Sequence, residues 1–257
     1  PLTLEDVKKL HRNQYEGTEF DMTQGMAAGP YGDPNRLYNY AYDGNEKNVV
    51  QPGNDLTGAF ERPVSVYYCG YSFINHIRPN LPDSIGGLCW FGPDQPMSTC
   101  YVPFYAGITS LPSSFQEINP SIYDASKAFW MFNFVANWAR LNYQMMIEDI
   151  KERQSELEKA QSALILEIDK KALAAFEASP EKARALLTDF CSENAQNILD
   201  SWTDLSGYLI QKYASGFVNN PNIATDVGYP QWWRSQVGYA KGPISYEQPS
   251  KKGQTSS

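Results

Sequence analysis

The sequence has only two histidines, His11 and His76, and four cysteines, Cys69, Cys89, Cys100 and Cys191. A Ser/His or Cys/His nucleophile pair would therefore have to use one of two imidazoles. The cysteines share no CxxC or Cys/His ligand spacing, which argues against a structural zinc site. They are too sparse for a disulfide scaffold and read as buried free thiols. Long apolar runs are missing too. The strongest, Ala128 to Ala139, is interrupted by Asn133 and Asn137 and falls well short of the ~20 residues a membrane span needs. No membrane partner is expected. There is no GxSxG elbow, Walker loop, HExxH or dinucleotide fingerprint. The run Gly25-Met26-Ala27-Ala28-Gly29 lacks the spacing and flanking strand of a phosphate loop. Basic residues are in deficit, 21 against 29 acids for a net charge of -8, so nucleic acid is not expected as a partner.

What is present suits a globular protein. The 257 residues are 42% hydrophobic and 14% aromatic, enough to build a core without metal or disulfide staples. Glycine and proline concentrate in residues 1–125, with 12 of the 18 Gly and 12 of the 17 Pro, and so does the net negative charge, 14 acids there against 7 bases. Binding sites favour such loops. We expect an α+β protein, strands in the first half and helices in the second. One unit is expected over 1–241: strand- and loop-rich 1–125, helical 126–213 and irregular 214–241. A polar, mobile tail should follow at 242–257. The opening PLTLEDVKKL is charged and amphipathic, not an apolar leader. Starting at Pro1, it reads as a processed or incomplete chain.

Residues 3–13 predict a helix with Thr3 as N-cap and Glu5 placed four before Lys9. The stretch 15–36 is a long loop, and long ordered loops are often functional. Alternation at Val64, Val66 and Tyr68 predicts a strand. LCWF (88–91) and STCYVPF (98–104) predict a strand pair around the Gly92–Pro96 turn, covered on both faces. Ala128–Ile150 predicts a core helix, with KERQSELEKAQ as its solvated extension and Asp149 four before Arg153. Ser179 and Pro180 mark the start of another helix, continuing through Trp202, Leu205 and Leu209 to about Tyr213.

Few residues suggest chemistry unaided. His11 reads as a surface residue and His76 as a structural or hydrogen-bonding one. Asp33 and Asp43, beside Pro34 and Gly44, read as Asx-turn residues. Arg78 precedes a Pro-rich turn, where its planar fork suits a carboxylate; an ordinary structural ion pair is the simpler reading.

Several separated blocks carry a family resemblance. YEGTEFDMTQGMAAGPYGDPNR (15–36) resembles the Y-E-G-T-x-x-D-[ML]-T stretch of the cysteine dipeptidases of the N-terminal-nucleophile hydrolase superfamily. This is the bacterial dipeptidase A family, with the secernins as distant relatives. The segment RPVSVYYCGYSFINHIRPNLPDSIGGLCWFGPDQPMSTC and the strand after it resemble the family's R-x-[LPD]-x-IGG-x-x-WFG-x-D block. AFWMFNFVANWARLNYQMM resembles the helix that follows. The resemblance implies part of an αββα sandwich and hydrolysis of dipeptide substrates by an N-terminal cysteine, without metal or organic cofactor. In such enzymes the thiol attacks the carbonyl and the same residue's α-amine serves as base.

Residue 1 is Pro and all four cysteines are internal. The matching motifs are those of the family's C-terminal half. The nucleophile is therefore expected upstream of this chain, and no catalytic residue within it. The partner implied is the N-terminal half of the same protein or a separate nucleophile subunit; a homo-oligomer is compatible. By resemblance, Tyr15, Glu16, Thr18, Asp21, Arg78 and Asp94 are the candidate substrate-binding residues. The alternative from another class is a non-catalytic peptide-binding protein that keeps the fold. Nothing in the sequence sets the compartment.

Overall fold

The computed structural model describes residues 2–36 and 61–238. Asp43 and the tail 242–257 lie outside the described residues.

Thr3 caps helix α1 (Leu4–His11) through a capping box with Asp6, which satisfies two of the orphan donors at the helix start. Glu5 pairs with Lys8 at 2.9 Å rather than with Lys9. Three antiparallel strands follow, β1 (Tyr71–Ile77), β2 (Gly87–Pro93) and β3 (Val102–Tyr105), in the order β1-β2-β3. A single helical turn, α2 (Asp83–Gly86), closes the β1–β2 connection. The expected strand pair is found, although its second member, expected over 98–104, begins only at Val102 because Pro96–Ser98 forms a 3-10 turn; SFINHI, not anticipated as a strand, becomes an edge of the sheet.

The strand expected over 64–69 is absent. Val66 N–H bonds back to Val64 O and Cys69 N–H to Val66 O, so the chain turns on itself. Ser65 is the residue turned inward. Its N–H donates to Asn13 O at 3.1 Å and its Oγ accepts from Met97 N–H at 2.9 Å. Loop partners replaced a ladder, and Val64 is left exposed.

Alternate side chains of a strand point to opposite faces, and the register sorts the sheet clearly. One face carries Ile74, Leu88, Trp90 and Tyr105, all buried. It meets α1, whose Lys8 Nζ lies 4.6 Å from the Trp90 ring centre. The other face carries Tyr71, Phe73 and Ile77, which are 60, 49 and 69% exposed. Phe91 and Phe104 on that face are covered by Phe115. Coverage on both faces therefore holds for β3 and only in part for β2, whose Cys89 and Phe91 are half-buried; β1, outside the expectation, is open on this face.

The helical half contains α3 (Ala128–Ala139), α4 (Tyr143–Ala178) and α5 (Pro180–Lys212). The single helix expected over 128–150 is broken at Arg140–Asn142, where Asn142 leaves helical geometry at φ -152°, ψ 68°. Phe132 of α3 stacks on Trp202 of α5 with ring centres 4.6 Å apart. Ser179 and Pro180 start α5 as expected, one residue after α4 ends.

The middle of α4 corrects another expectation. Gln154, Glu158 and Gln161 are buried, not solvated. Their spacing of four and three puts them on one helix stripe, facing the irregular backbone at 97–101. Gln154 Nε2 donates to Thr99 O at 2.6 Å and Gln161 Nε2 to Tyr101 O at 2.9 Å. Buried loop carbonyls need such donors. Asp149 bonds Lys212 Nζ at 2.7 Å and Tyr213 Oη at 2.6 Å, not Arg153. Residues 214–241, expected to be irregular, include a hairpin of β4 (Phe217–Asn220) and β5 (Ile223–Asp226) and a short α6 (Gln231–Gln236). The observed class is α+β. No helix among the described residues is long and apolar enough to cross a membrane.

Candidate functional site

Where β2 ends, Pro93 pairs with Tyr71 at the start of β1, and the chain must leave the sheet. Asp94 makes that exit with φ 61°, a left-handed conformation that costs a non-glycine residue energy and often marks functional sites. Its N–H donates to Gly70 O at 2.9 Å. One carboxylate oxygen, Oδ1, accepts from Asn133 Nδ2 at 2.9 Å. The other, Oδ2, is buried and meets no hydrogen-bond donor among the described residues. Asp94 is 3% exposed, and burial pushes its carboxyl up to about 6 against the opposing pull of Asn133 and of the Gln95 backbone. A carboxylate left half-satisfied in a buried place is a ready acceptor for a cationic donor.

Beside Asp94 is a cavity of about 240 Å3. Gly70 comes from just before β1, Tyr71, Phe91 and Pro93 from the sheet, Phe115 from a turn before α3, and Phe129 from the first turn of α3. Tyr71 stacks on Phe91 with ring centres 5.6 Å apart, and Phe115 meets Phe91 edge-on at 6.4 Å. Ser114 also lines this space; its Oγ is buried and meets no hydrogen-bond partner among the described residues. Sequence reading missed Ser114 and took Asn133 only as an interruption of an apolar run. A polar side chain inside a core helix was the available signal.

The other candidates lie elsewhere. Tyr15, Glu16, Thr18 and Asp21 share one loop, which they order among themselves. Glu16 accepts from Gln14 N–H at 2.8 Å, Thr18 Oγ1 donates to Tyr15 O at 2.7 Å, and Asp21 accepts from Gly17 N–H at 2.9 Å and Thr23 Oγ1 at 2.6 Å. Hydrogen bonds from Thr23 and Gly17 hold the Asp21 carboxyl below its usual range, although burial opposes them. Tyr15, at φ 65°, donates its hydroxyl to Arg62 O at 2.9 Å.

Arg78 sits past the opposite end of β1 from Asp94. It is ion-paired to Asp169, donates to the Ile85 and Gly86 carbonyls, and lies over the Tyr105 ring. Seven strand residues separate the two ends, roughly 20 Å, while an extended dipeptide spans about 7 Å. One dipeptide cannot touch both.

Asp33 forms the expected Asx turn, accepting from Asn35 N–H at 3.0 Å, and also takes Arg140 Nε at 2.9 Å. His11, expected on the surface, has Nδ1 2.8 Å from the Tyr101 hydroxyl, which is in turn 2.8 Å from Ser72 Oγ. His76 Nδ1 is buried and meets no hydrogen-bond partner among the described residues. Burial holds both imidazoles below their usual range.

All four thiols are free, and burial raises each of them, Cys191 to about 11 and Cys100 well above the normal value. A cysteine nucleophile needs the opposite shift. Among the described residues no group of three or more His, Cys, Asp or Glu could hold a metal ion.

Compared with known proteins, residues 1–156 match the model of peptidase family C69. The chain belongs to peptidase family C69. This C69 chain is 21% identical over 199 residues to a "Probable dipeptidase A" of Streptococcus pyogenes serotype M1, covering 77% of this chain and 36% of that protein. It is 23% identical over 209 residues to a "Probable dipeptidase B" of Lactococcus lactis subsp. lactis, covering 81% of this chain and 37% of that one. It therefore spans little more than a third of the length of these C69 relatives. The cavity, Asp94 and Asn133 all fall within the matched residues.

Proposed function

We propose that this chain is the part of a cysteine dipeptidase that supplies a substrate-binding wall and scaffold, with the nucleophile cysteine carried outside it. The family match over residues 1–156 carries the reading. Two features support it. None of the four thiols is in a setting that favours thiolate. The exposed aromatic face of β1, with Tyr71, Phe73 and Ile77, suits a second layer packed on the sheet, as an αββα sandwich requires.

Asp94 is the residue we assign to the substrate's α-ammonium; its Oδ2 is buried, so the contact requires that oxygen to be uncovered as substrate binds. An ammonium donor there satisfies the buried oxygen and restores the ionised carboxylate. The thiol then attacks the peptide carbonyl, the amine product leaves with a proton, and water hydrolyses the thioester to the free acid and regenerated thiol.

The test uses the intact protein isolated from its source, assayed for dipeptide hydrolysis during alkylation by iodoacetamide. Activity lost in step with labelling of a cysteine other than Cys69, Cys89, Cys100 and Cys191 is expected. Hydrolysis that survives complete alkylation, or inactivation that tracks one of these four, overturns the reading. Dipeptide binding without turnover would favour a peptide-binding protein.

A further inference from the structure

We propose that the cavity where the loop 27–36 meets the end of α3 takes the substrate's α-carboxylate, held end-on by the guanidinium of Arg140. The inference rests on the dipeptidase reading and adds to it the group that separates a free dipeptide from an amidated one.

The cavity has a volume of about 630 Å3, inside the range of roughly 300 to 1,000 Å3 for small-molecule sites. The charged residues of its wall are Asp33, Arg36 and Arg140. Two cations and one acid make the lining net positive in a chain of net charge -8. Tyr31 and Tyr229, with ring centres 5.8 Å apart, supply aromatic surface beside them. The charge selects an anion, and the rings suit the apolar body that carries it.

Arg140 is the wall residue with donors to spare. Its Nε donates to Asp33 Oδ2 at 2.9 Å, while Nη1 and Nη2 meet no hydrogen-bond partner among the described residues. The side chain is 24% exposed and lines the cavity. A single bond at Nε leaves the two-pronged end of the guanidinium for a carboxylate, the planar contact that arginine makes best.

The fork is also held in place. Asp33 Oδ1 accepts from Asn35 N–H at 3.0 Å and from Asn35 Nδ2 at 2.8 Å. Asp33 N–H donates to Ala28 O at 2.8 Å, and Arg36 Nη1 donates to Asp33 O at 2.7 Å. The acid that orients Arg140 is thus itself fixed, so little side-chain freedom is lost when a ligand arrives. Arg140 follows Asn133, the partner of Asp94, by two helical turns, roughly 10 Å along the axis. An extended dipeptide, about 7 Å long, covers that separation with a hydrogen bond at each end, as it does not for Arg78.

In the intact protein, kcat/KM for Ala-Ala should exceed that for Ala-Ala amide by about tenfold or more. Arg140→Gln, which removes the charge and the fork, should bring that ratio to within about twofold of one. Arg140→Lys, which keeps the charge alone, should restore part of it. Loss of a merely structural pair with Asp33 lowers activity on acid and amide alike and leaves the ratio unmoved. Ala27→Glu is the second variant. Ala27 is exposed and lines the cavity, and a carboxylate there competes for the fork, so the ratio should fall with Arg140 intact. Should Arg140→Gln not fold, Ala27→Glu carries the test.

Calorimetry with Ala-Tyr and Ala-Tyr amide separates this site from the dipeptidase reading. Selective binding of the free acid, lost in both variants and with no dipeptide hydrolysed, sinks the dipeptidase reading and keeps the carboxylate site. Equal hydrolysis of acid and amide, or an acid preference unmoved by the substitutions, overturns the site alone. Neither hydrolysis nor selective binding overturns both.

Discussion

Asn133, one and a half turns into α3, donates its amide to Asp94 Oδ1 at 2.9 Å and ties the helix to the end of β2. The bond orients one carboxylate oxygen and leaves the other buried and unsatisfied. Such an arrangement costs stability.

Asp94→Asn should therefore stabilise the protein at pH 8. Burial raises the folded-state carboxyl from 3.8 to about 6, so the folded state holds this proton more tightly than the unfolded one. Stability from this group is fully present below about pH 4 and is lost as pH rises through 6. The asparagine keeps the acceptor for Asn133 and removes the buried charge, for a gain of about 2–3 kcal/mol at pH 8 that fades near pH 4. Urea midpoints at the two pH values check this. The same variant should raise KM for dipeptides; an unchanged KM would take Asp94 out of the ammonium site.

Glu158 is a structural hub. It accepts from Lys8 at 3.2 Å, from Arg12 at 2.5 Å and from Tyr101 N–H at 2.9 Å, and Lys8 is 0% exposed. Glu158→Ala leaves Lys8 with Glu5 alone, Arg12 with the Pro96 and Thr99 carbonyls and the Tyr101 amide without its acceptor, and should cost about 3–5 kcal/mol. Glu158→Gln should recover part of that loss through the Tyr101 bond. A denaturation midpoint within error of wild type for Glu158→Ala would contradict the buried network.

Arg78→Ala should behave as a folding variant. Its guanidinium pairs with Asp169 and with two carbonyls of the β1–β2 connection. Truncation should cost about 3 kcal/mol, with KM unchanged at temperatures where the variant stays folded. A double-mutant cycle with Asp169→Asn should show coupling above about 0.5 kcal/mol. Wild-type stability with a raised KM would instead make Arg78 a substrate contact.

Thiol reactivity separates the cysteines by depth. Burial raises the half-buried Cys69 and Cys89 and raises Cys191 to about 11. In the folded protein, labelling by a disulfide reagent should be slow at pH 7 for Cys69 and Cys89, and should accelerate as pH rises past 9. Cys100 and Cys191 should label only on unfolding. Fast labelling of any of the four at pH 7 would mark an activated thiol and reopen its role.

Local chemistry was readable because its cause is local. Thr3 caps α1 and Pro180 opens α5 because capping and φ restriction depend on a few adjacent residues. The β2–β3 pair announced itself through apolar runs around a Gly-Pro-Asp turn. Family motifs likewise survive as short ordered strings, and so the C69 assignment was legible before any coordinates.

Only the tertiary structure decided which polar groups go inside. KERQSELEKAQ has the composition of a solvated helix, yet Gln154, Glu158 and Gln161 are buried because loop carbonyls and two cations 50 to 150 residues away need partners there. Val64 and Ser65 exchanged places for the same reason. Asp94 reads in sequence like any turn aspartate. Its buried, half-satisfied carboxylate beside an aromatic slot exists only because α3 brings Asn133 and Phe129 against the end of β2. Periodicity and capping act over one or two turns of chain, whereas desolvation is set by whatever the rest of the molecule packs nearby.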